Sequence, residues 1–224
     1  MSDVSHEPQK FPAVPLFPLP NVVLFPRAVL PLHIFEDRYR AMTADILEGS
    51  GQLAMALLKP GWEKNYHGRA EIDPIVCVGR ILTHERLADG KYNFLLQGHT
   101  RARIVREHDH HPYRIAHLEP LQETPIDELD LLTCRHRLIS VFDSGSLLAT
   151  VIGRQFRQLL SSALPTADIA DLIAFNFLDD VQLKQSLLAD TDIIRRVTRT
   201  VEAFEAIRPA LEPVNTTSSK PSLN

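Results

Sequence analysis

Cysteine is nearly absent. Cys77 and Cys134 are the only two in 224 residues, far apart and in no C-x-x-C pair, so inert buried thiols in a reducing, cytoplasmic setting are expected. Long apolar runs are missing too, because Arg27 interrupts the best one, and no bilayer-spanning segment is expected. The first residues, Met1-Ser2-Asp3-Val4-Ser5-His6, lack the basic and apolar stretches of a signal peptide. Neither charge sign is in large excess: 24 Lys+Arg against 28 Asp+Glu give a net charge of −4. That balance gives no general attraction to nucleic acid or to an acidic membrane. Glycine is sparse, with nine residues, and nothing forms G-x-x-x-x-G-K-[ST]; Gly61 to Lys64 lacks the second glycine and the Ser/Thr that would hold phosphates. Ser144-Gly145-Ser146 is only superficially like a nucleophile elbow, which needs G-x-S-x-G between a strand and a helix. A hydrolytic activity is not supported, and no cofactor is implied.

Proline, by contrast, is abundant, with 16 residues, and the early ones shape the chain. Val14 to Pro26 is an apolar run with prolines at 15, 18, 20 and 26. Proline fixes φ and has no N–H, so the run suits an edge strand, a turn at Pro20-Asn21 and a short second strand capping a small barrel. After it, Phe35, Tyr39, Met42 and Ile46 recur at helical spacing, with Glu36 and Asp37 in the first turn and Gly49-Ser50-Gly51 as the stop. Leu53 to Leu58 then reads as a strand ended by Pro60-Gly61.

This order of residues resembles the start of the Lon protease N-terminal domain, also met in stand-alone bacterial proteins and in cereblon. The likeness rests on Pro15-Leu16-Phe17-Pro18-Leu19, on Val22-Val23-Leu24-Phe25-Pro26, and on Pro31-Leu32-His33-Ile34-Phe35-Glu36. It continues in Lys184 to Asp192, ahead of the Arg-rich last helix, and covers roughly 11–208. The resemblance implies an α+β fold, with a β-rich PUA-like pseudo-barrel lobe at 11–123 and a helical bundle lobe at 124–208. Residues 1–10 and 209–224 are expected to be a flexible N-terminus and a disordered tail.

The intervening pattern agrees with that architecture. Ile75–Leu87, an Asp89-Gly90 hairpin turn, Tyr92–Gly98, Ala102–Glu107 and Tyr113–Pro120 read as strands. From Pro125 the period becomes helical. One helix carries Leu131, Arg135, Leu138 and Phe142 and is broken at Ser144-Gly145-Ser146. A second carries Leu148, Ile152, Gln155 or Phe156, and Leu159. A third is N-capped by Thr166 and carries Ile169, Leu172, Ile173 and Asn176; a fourth is capped by Asp179-Asp180. The last carries Ile194, Val197, Val201 and Phe204 and is stopped by Pro209 and Pro213.

Full-length Lon joins such a domain to an ATPase and a Ser–Lys protease, and neither motif set is present in this sequence. The resemblance therefore implies non-catalytic binding of unfolded polypeptide or of a specific protein partner. The best candidate contacts are Trp62 and Tyr66, large aromatics in the polar loop Gly61–Gly68, where a core explains them poorly. The alternative is RNA binding on the PUA-like sheet through Arg101, Arg103, Arg106 and Arg114. The acidic balance and the lack of aromatics between these arginines argue against it. Arg195, Arg196 and Arg199 are expected to keep the outer face of the last helix wet. His108, Asp109, His110 and His111 resemble metal ligands, but neighbours on a strand point opposite ways, and no metal is expected. A small-molecule enzyme would need convergent polar groups that the sequence does not display.

Overall fold

The computed structural model describes residues 11–66, 68–109, 112–143 and 147–211. The strands are β1 (Phe11–Leu19), β2 (Val29–Ile34), β3 (Gln52–Leu57), β4 (Ile75–Arg86), β5 (Tyr92–His108) and β6 (Arg114–Pro120). The helices are α1 (Asp37–Glu48), α2 (Leu132–Asp143), α3 (Val151–Leu160), α4 (Thr166–Phe177), α5 (Val181–Ala189) and α6 (Ile193–Leu211). The sheet order is β2-β5-β4-β3-β1-β6, and β6 returns to pair with β5. All the strands but β2 therefore close into a small barrel, which removes most of its open edges.

β1 is an interior strand, not the edge strand its prolines suggest. It solves the missing N–H groups by changing partner along its length. Pro15 lies opposite Ile115 of β6, before the pairing with β3 begins at Leu16; Pro18 lies opposite Ala56 of β3, beyond the pairing with β6. Pro12 falls within a register shift between Phe11 and Val14. The two segments expected at 92–98 and 102–107 are likewise one strand, β5, which bends through register shifts against both β4 and β6. The hairpin turn is as the sequence reads: Gly90 has φ +79° and the Leu87 N–H donates to the Lys91 carbonyl at 2.8 Å.

Closure explains the composition of β3, which is buried on both faces. Ala54 and Ala56 point inward with Val76, Val78, Ala102, Ala116 and Leu118, because a barrel this narrow holds mainly small side chains. Leu53, Met55 and Leu57 point outward into a second cluster with Tyr39, Met42 and Ile46 of α1, and with Ala174, Leu178, Leu187 and Leu188 from the helical half. That core is thus shared between the two halves of the chain. A third cluster, built around Leu138, Phe142, Phe156, Ile169, Val201 and Phe204, holds the helices together.

Several helical faces differ from their sequence reading. Phe35 is 59% exposed and lies before α1, while Thr43 joins its buried side. In α3 the buried residues are Gly153, Phe156 and Leu160, and Leu148 and Ile152 are exposed. Asn176 and Ile194 are also exposed. Thr166 is not a cap: it is buried at the first helical position, where Glu128 accepts from both its N–H (2.9 Å) and its hydroxyl. Asp180 does cap α5, accepting from the N–H groups of Gln182 and Leu183. Pro209 does not stop α6, which continues to Leu211; so near the end, only the Glu205 carbonyl loses its helical partner. The proposed N-terminal tail, the Ser144–Ser146 break and residues 212–224 lie outside the described residues.

Candidate functional site

The 59–71 loop, which carries Trp62 and Tyr66, is tied at its base. Leu58 bridges Ile72, the Lys59 N–H donates to the Glu71 carbonyl at 2.9 Å, and the Asp73 N–H donates to the Leu57 carbonyl at 2.8 Å. Gly61 takes φ +87°, a conformation that disfavours a side chain, and starts a single 3-10 turn over Trp62–Asn65. This turn places Trp62, half-buried, edge-on to Tyr66 at 5.3 Å between ring centres.

Tyr66 is fixed from below. Its hydroxyl donates to Glu36 Oε1 at 2.6 Å, and Arg38 donates to its carbonyl at 3.2 Å while lying 4.8 Å over its ring. Burial, and then the bond to Glu36, raise the Tyr66 phenol above its ordinary pKa. Arg38 also lies over the Tyr39 ring at 4.5 Å, with its Nε donating to Glu36 Oε2 at 3.1 Å.

Tyr66 and Arg38 form part of the wall of a cavity of about 200 Å³. Leu16, Pro18, Leu58 and Ala70 give it an apolar floor, and Tyr39 and Tyr113 continue the aromatic wall. Arg69 and Arg114 complete it on the far side. Arg114 forks onto Glu107 (2.8 and 2.5 Å) and donates to the Ala70 carbonyl at 2.7 Å, holding the loop against the barrel. Tyr113 donates to Asp45 Oδ2 at 2.6 Å, and burial together with that bond pushes its phenol up to about 12. The structure thus brings Tyr66 to a pocket and seats Trp62 against it. Arg38, Tyr39, Arg69 and Tyr113 escaped the sequence reading as site residues because they converge from α1, the loop and the approach to β6, while Arg114 was read only as part of a basic stripe. Tyr39 showed only its helical spacing.

The basic stripe does not form as expected. Arg101 is 5% exposed and points into the junction with the helices, where it donates to Asp171 Oδ1 at 2.5 Å and to the Leu188 carbonyl at 3.2 Å. Arg103 and Arg106 are exposed, and Arg114 is engaged by Glu107. The last helix is also corrected: Arg196 is 1% exposed, not an outer-face residue, and lies 2.7 Å from Glu123 and 3.4 Å from Asp171. Residues at i and i+1 on a helix point about 100° apart, so Arg195 remains outside while Arg196 turns in. Arg195 and Arg199 both reach Asp190. His110 and His111 lie outside the described residues, and among the described residues no group of three or more His, Cys, Asp or Glu could hold a metal.

Comparison with known proteins gives this geometry a family. Residues 13–205 match the ATP-dependent protease La (LON) substrate-binding domain, and the chain belongs to that family. It is 26% identical over 204 residues to Lon protease 1 of Syntrophobacter fumaroxidans, a match covering 91% of this chain and 24% of that protein. Against Lon protease of Desulfosudis oleivorans it is 22% identical over 189 residues, covering 83% and 23%. The chain thus spans about a quarter of the length of these relatives. Its fold is similar to that of the Lon N-terminal domain protein from Xanthomonas campestris (TM-score 0.61, 20% identity, 86% of this chain and 98% of that one). It is also similar to the N-terminal domain of Mycobacterium avium complex Lon protease (TM-score 0.65, 18% identity, 86% and 98%).

Proposed function

We propose that this chain binds polypeptide without acting on it chemically, and that Trp62 and Tyr66 form the lip and wall of the contact surface. The observation that carries this reading is the cavity with an apolar floor and aromatic walls, beside a half-exposed tryptophan, in a member of a substrate-binding family. A tied loop suits the purpose, since a preformed surface loses little conformational freedom on binding. Aromatic anchors in such settings supply a large share of binding energy. Among the described residues no helix is long and apolar enough to cross a membrane. A reducing, cytoplasmic location is consistent with the two free, buried thiols.

The test is fluorescence anisotropy with a labelled, unfolded polypeptide and a labelled RNA, each at two salt concentrations. Saturable polypeptide binding that survives salt and weakens about tenfold or more in Trp62→Ala or Tyr66→Ala is the expected result, as for an aromatic hot spot. Binding to RNA alone, collapsing as salt rises, would overturn the reading.

A further inference from the structure

Exposed apolar side chains scattered singly over a surface need no explanation, but a contiguous set marks a contact surface. Val29, Phe35, Leu95 and Ile152 are large, apolar and exposed, and they follow one track that starts beside the Trp62–Tyr66 lip. Phe35 precedes Glu36, whose carboxylate holds the Tyr66 hydroxyl, and its ring stacks on His33 at 6.1 Å. His33, Pro31 and Val29 come next on the exposed face of β2, because alternate residues of a strand share a face. Pro31 lies opposite Leu95 of β5, and with His33 these two border a depression of about 410 Å³ on the sheet. At the far end Val29 joins the wall of a groove of about 660 Å³, lined by Ile152, Phe156 and Leu159 of α3 and by Leu172 and Phe175 of α4. Both volumes fall within the ~300–1,000 Å³ of ligand sites.

The track is nearly free of charge, in a chain of which 23% is charged. Arg27 is the one charged wall residue of the groove, and Asp168 holds it at 2.6 Å. Glu85 is the one carboxylate at the depression. A charged segment laid there would give up its hydration and gain no partner, whereas an uncharged one complements the surface. From Val29 to Phe35 the strand rises ~20 Å and presents a side chain every ~7 Å, which is also the two-residue repeat of an extended occupant. A second copy of this chain is a poorer occupant. β2 ends the sheet order, so its outer edge is open, but Pro31 in the middle of it has no N–H, which blunts pairing of one strand with another.

We infer that an extended, uncharged polypeptide segment lies along the exposed face of β2, with one large apolar residue at the Trp62–Tyr66 cavity and a second in the groove between α3 and α4. This rests on the polypeptide-binding reading and deepens it. The chain then selects two apolar anchors at least about six residues apart, joined by a spacer without charge, and a single apolar cluster is held weakly.

The experiment uses three fluorescein-labelled peptides and a labelled unfolded protein. The full peptide carries an aromatic cluster and an aliphatic cluster separated by an uncharged spacer; each half-peptide keeps the spacer and one cluster. Binding is measured on the wild type, on Ile152→Glu in the groove and on Leu95→Glu at the depression, both changes of exposed side chains. The full peptide is expected to bind at least about tenfold more tightly than either half, as for two linked contacts. Ile152→Glu should reduce it to the affinity of the aromatic half while leaving that half unchanged, and Leu95→Glu should weaken the full peptide several-fold. Equal binding of the full peptide and the aromatic half overturns the inference but leaves polypeptide binding standing. So does binding of the full peptide or the unfolded protein that neither variant alters. A gain of helical circular dichroism by the bound full peptide would mean that a helix fills the groove, which also overturns it. A wild-type dimer that Ile152→Glu and Leu95→Glu convert to monomer, with peptide binding unchanged, would give the face to a second copy and overturn it too. Failure of all three peptides and of the unfolded protein to bind would sink both readings together.

Discussion

Asp171 is 2% exposed; its Oδ1 is shared between Arg101 and Arg196, and its Oδ2 is buried with no hydrogen-bond partner among the described residues. Such a carboxylate is tolerated because two guanidinium groups face it. Removing it leaves them buried with Glu123 as their one carboxylate partner among the described residues. Asp171→Ala should therefore cost about 3–5 kcal/mol, read as a lowered denaturant midpoint. Glu123→Ala should cost less, because that carboxylate is one-third exposed and water can replace it. A midpoint for Asp171→Ala within error of wild type would show that the cluster does not hold the fold. Asp190 gives a pH-dependent counterpart. Burial alone would raise its pKa, but the bond from Arg195, the Asp192 N–H and Arg199 outweigh burial and hold it below the ordinary value. A carboxylate depressed in the folded state stabilises above its unfolded pKa of about 3.9 and loses that contribution as pH falls through the folded value. The stability gap between wild type and Asp190→Asn should thus be constant from pH 5 to 8 and shrink below about pH 4, measured by urea unfolding at each pH. At this scale the sequence is only partly legible. Asp180 could be read as a cap because its partners are two and three residues away. Arg101, Asp171 and Arg196 could not be read as partners, because only the closed barrel and the packed helices bring them together.

At the scale of the element, β5 carries most of the organisation. Its glycine, Gly98, lies under the proline-rich segment: the Arg27 N–H donates to the Gly98 carbonyl at 2.8 Å and the Gly98 N–H to the Ala28 carbonyl at 2.9 Å. A Cβ at Gly98 would stand 2.1 Å from the Phe25 carbonyl oxygen, and that oxygen belongs to backbone that cannot swing aside. Gly98→Ala should lower stability by roughly 1–3 kcal/mol or more by overpacking, checked by thermal unfolding; an unchanged midpoint would mean the 20–28 segment is free to lift away. The strands at 75–87 and 92–98 were legible from the β-branched, apolar run that begins at Ile75 and from the Asp89-Gly90 turn, since both are local signals. The place of β1 was not, because proline excludes a strand from the middle of a sheet only when both edges must be paired at the same residue. The Trp62–Tyr66 loop was legible as an oddity, two aromatics among polar residues. The pocket it borders was not, since its walls come from separate elements.

For the whole molecule, the shared core matters most. Met55, Cys77 and Leu96 of the sheet pack in one cluster with Ala174, Leu187 and Leu188 of the helices. The Gln185 side-chain amide also donates to the Ile75 carbonyl at 2.8 Å across the same junction. Two halves joined this way should unfold together. Trp62 fluorescence, which reports the β-rich half, and helical circular dichroism should give coincident denaturant transitions. Separated midpoints would show that the halves are independent units. The family-level architecture was visible in the order of motifs along the chain, but this continuity between the halves was not, because a lobe boundary at 123/124 follows the change of period and says nothing about shared contacts.

That continuity bears on how the chain is made. Every strand leaves the ribosome before α4 and α5 exist, so the outer face of β3 and β4 waits in water for Ala174, Leu178, Leu187 and Leu188. Nascent chains interrupted between Pro120 and Ala174 would present that apolar face to one another and to chaperones. On the proposed polypeptide-binding reading, the chain passes during its own synthesis through a state of the kind it would bind.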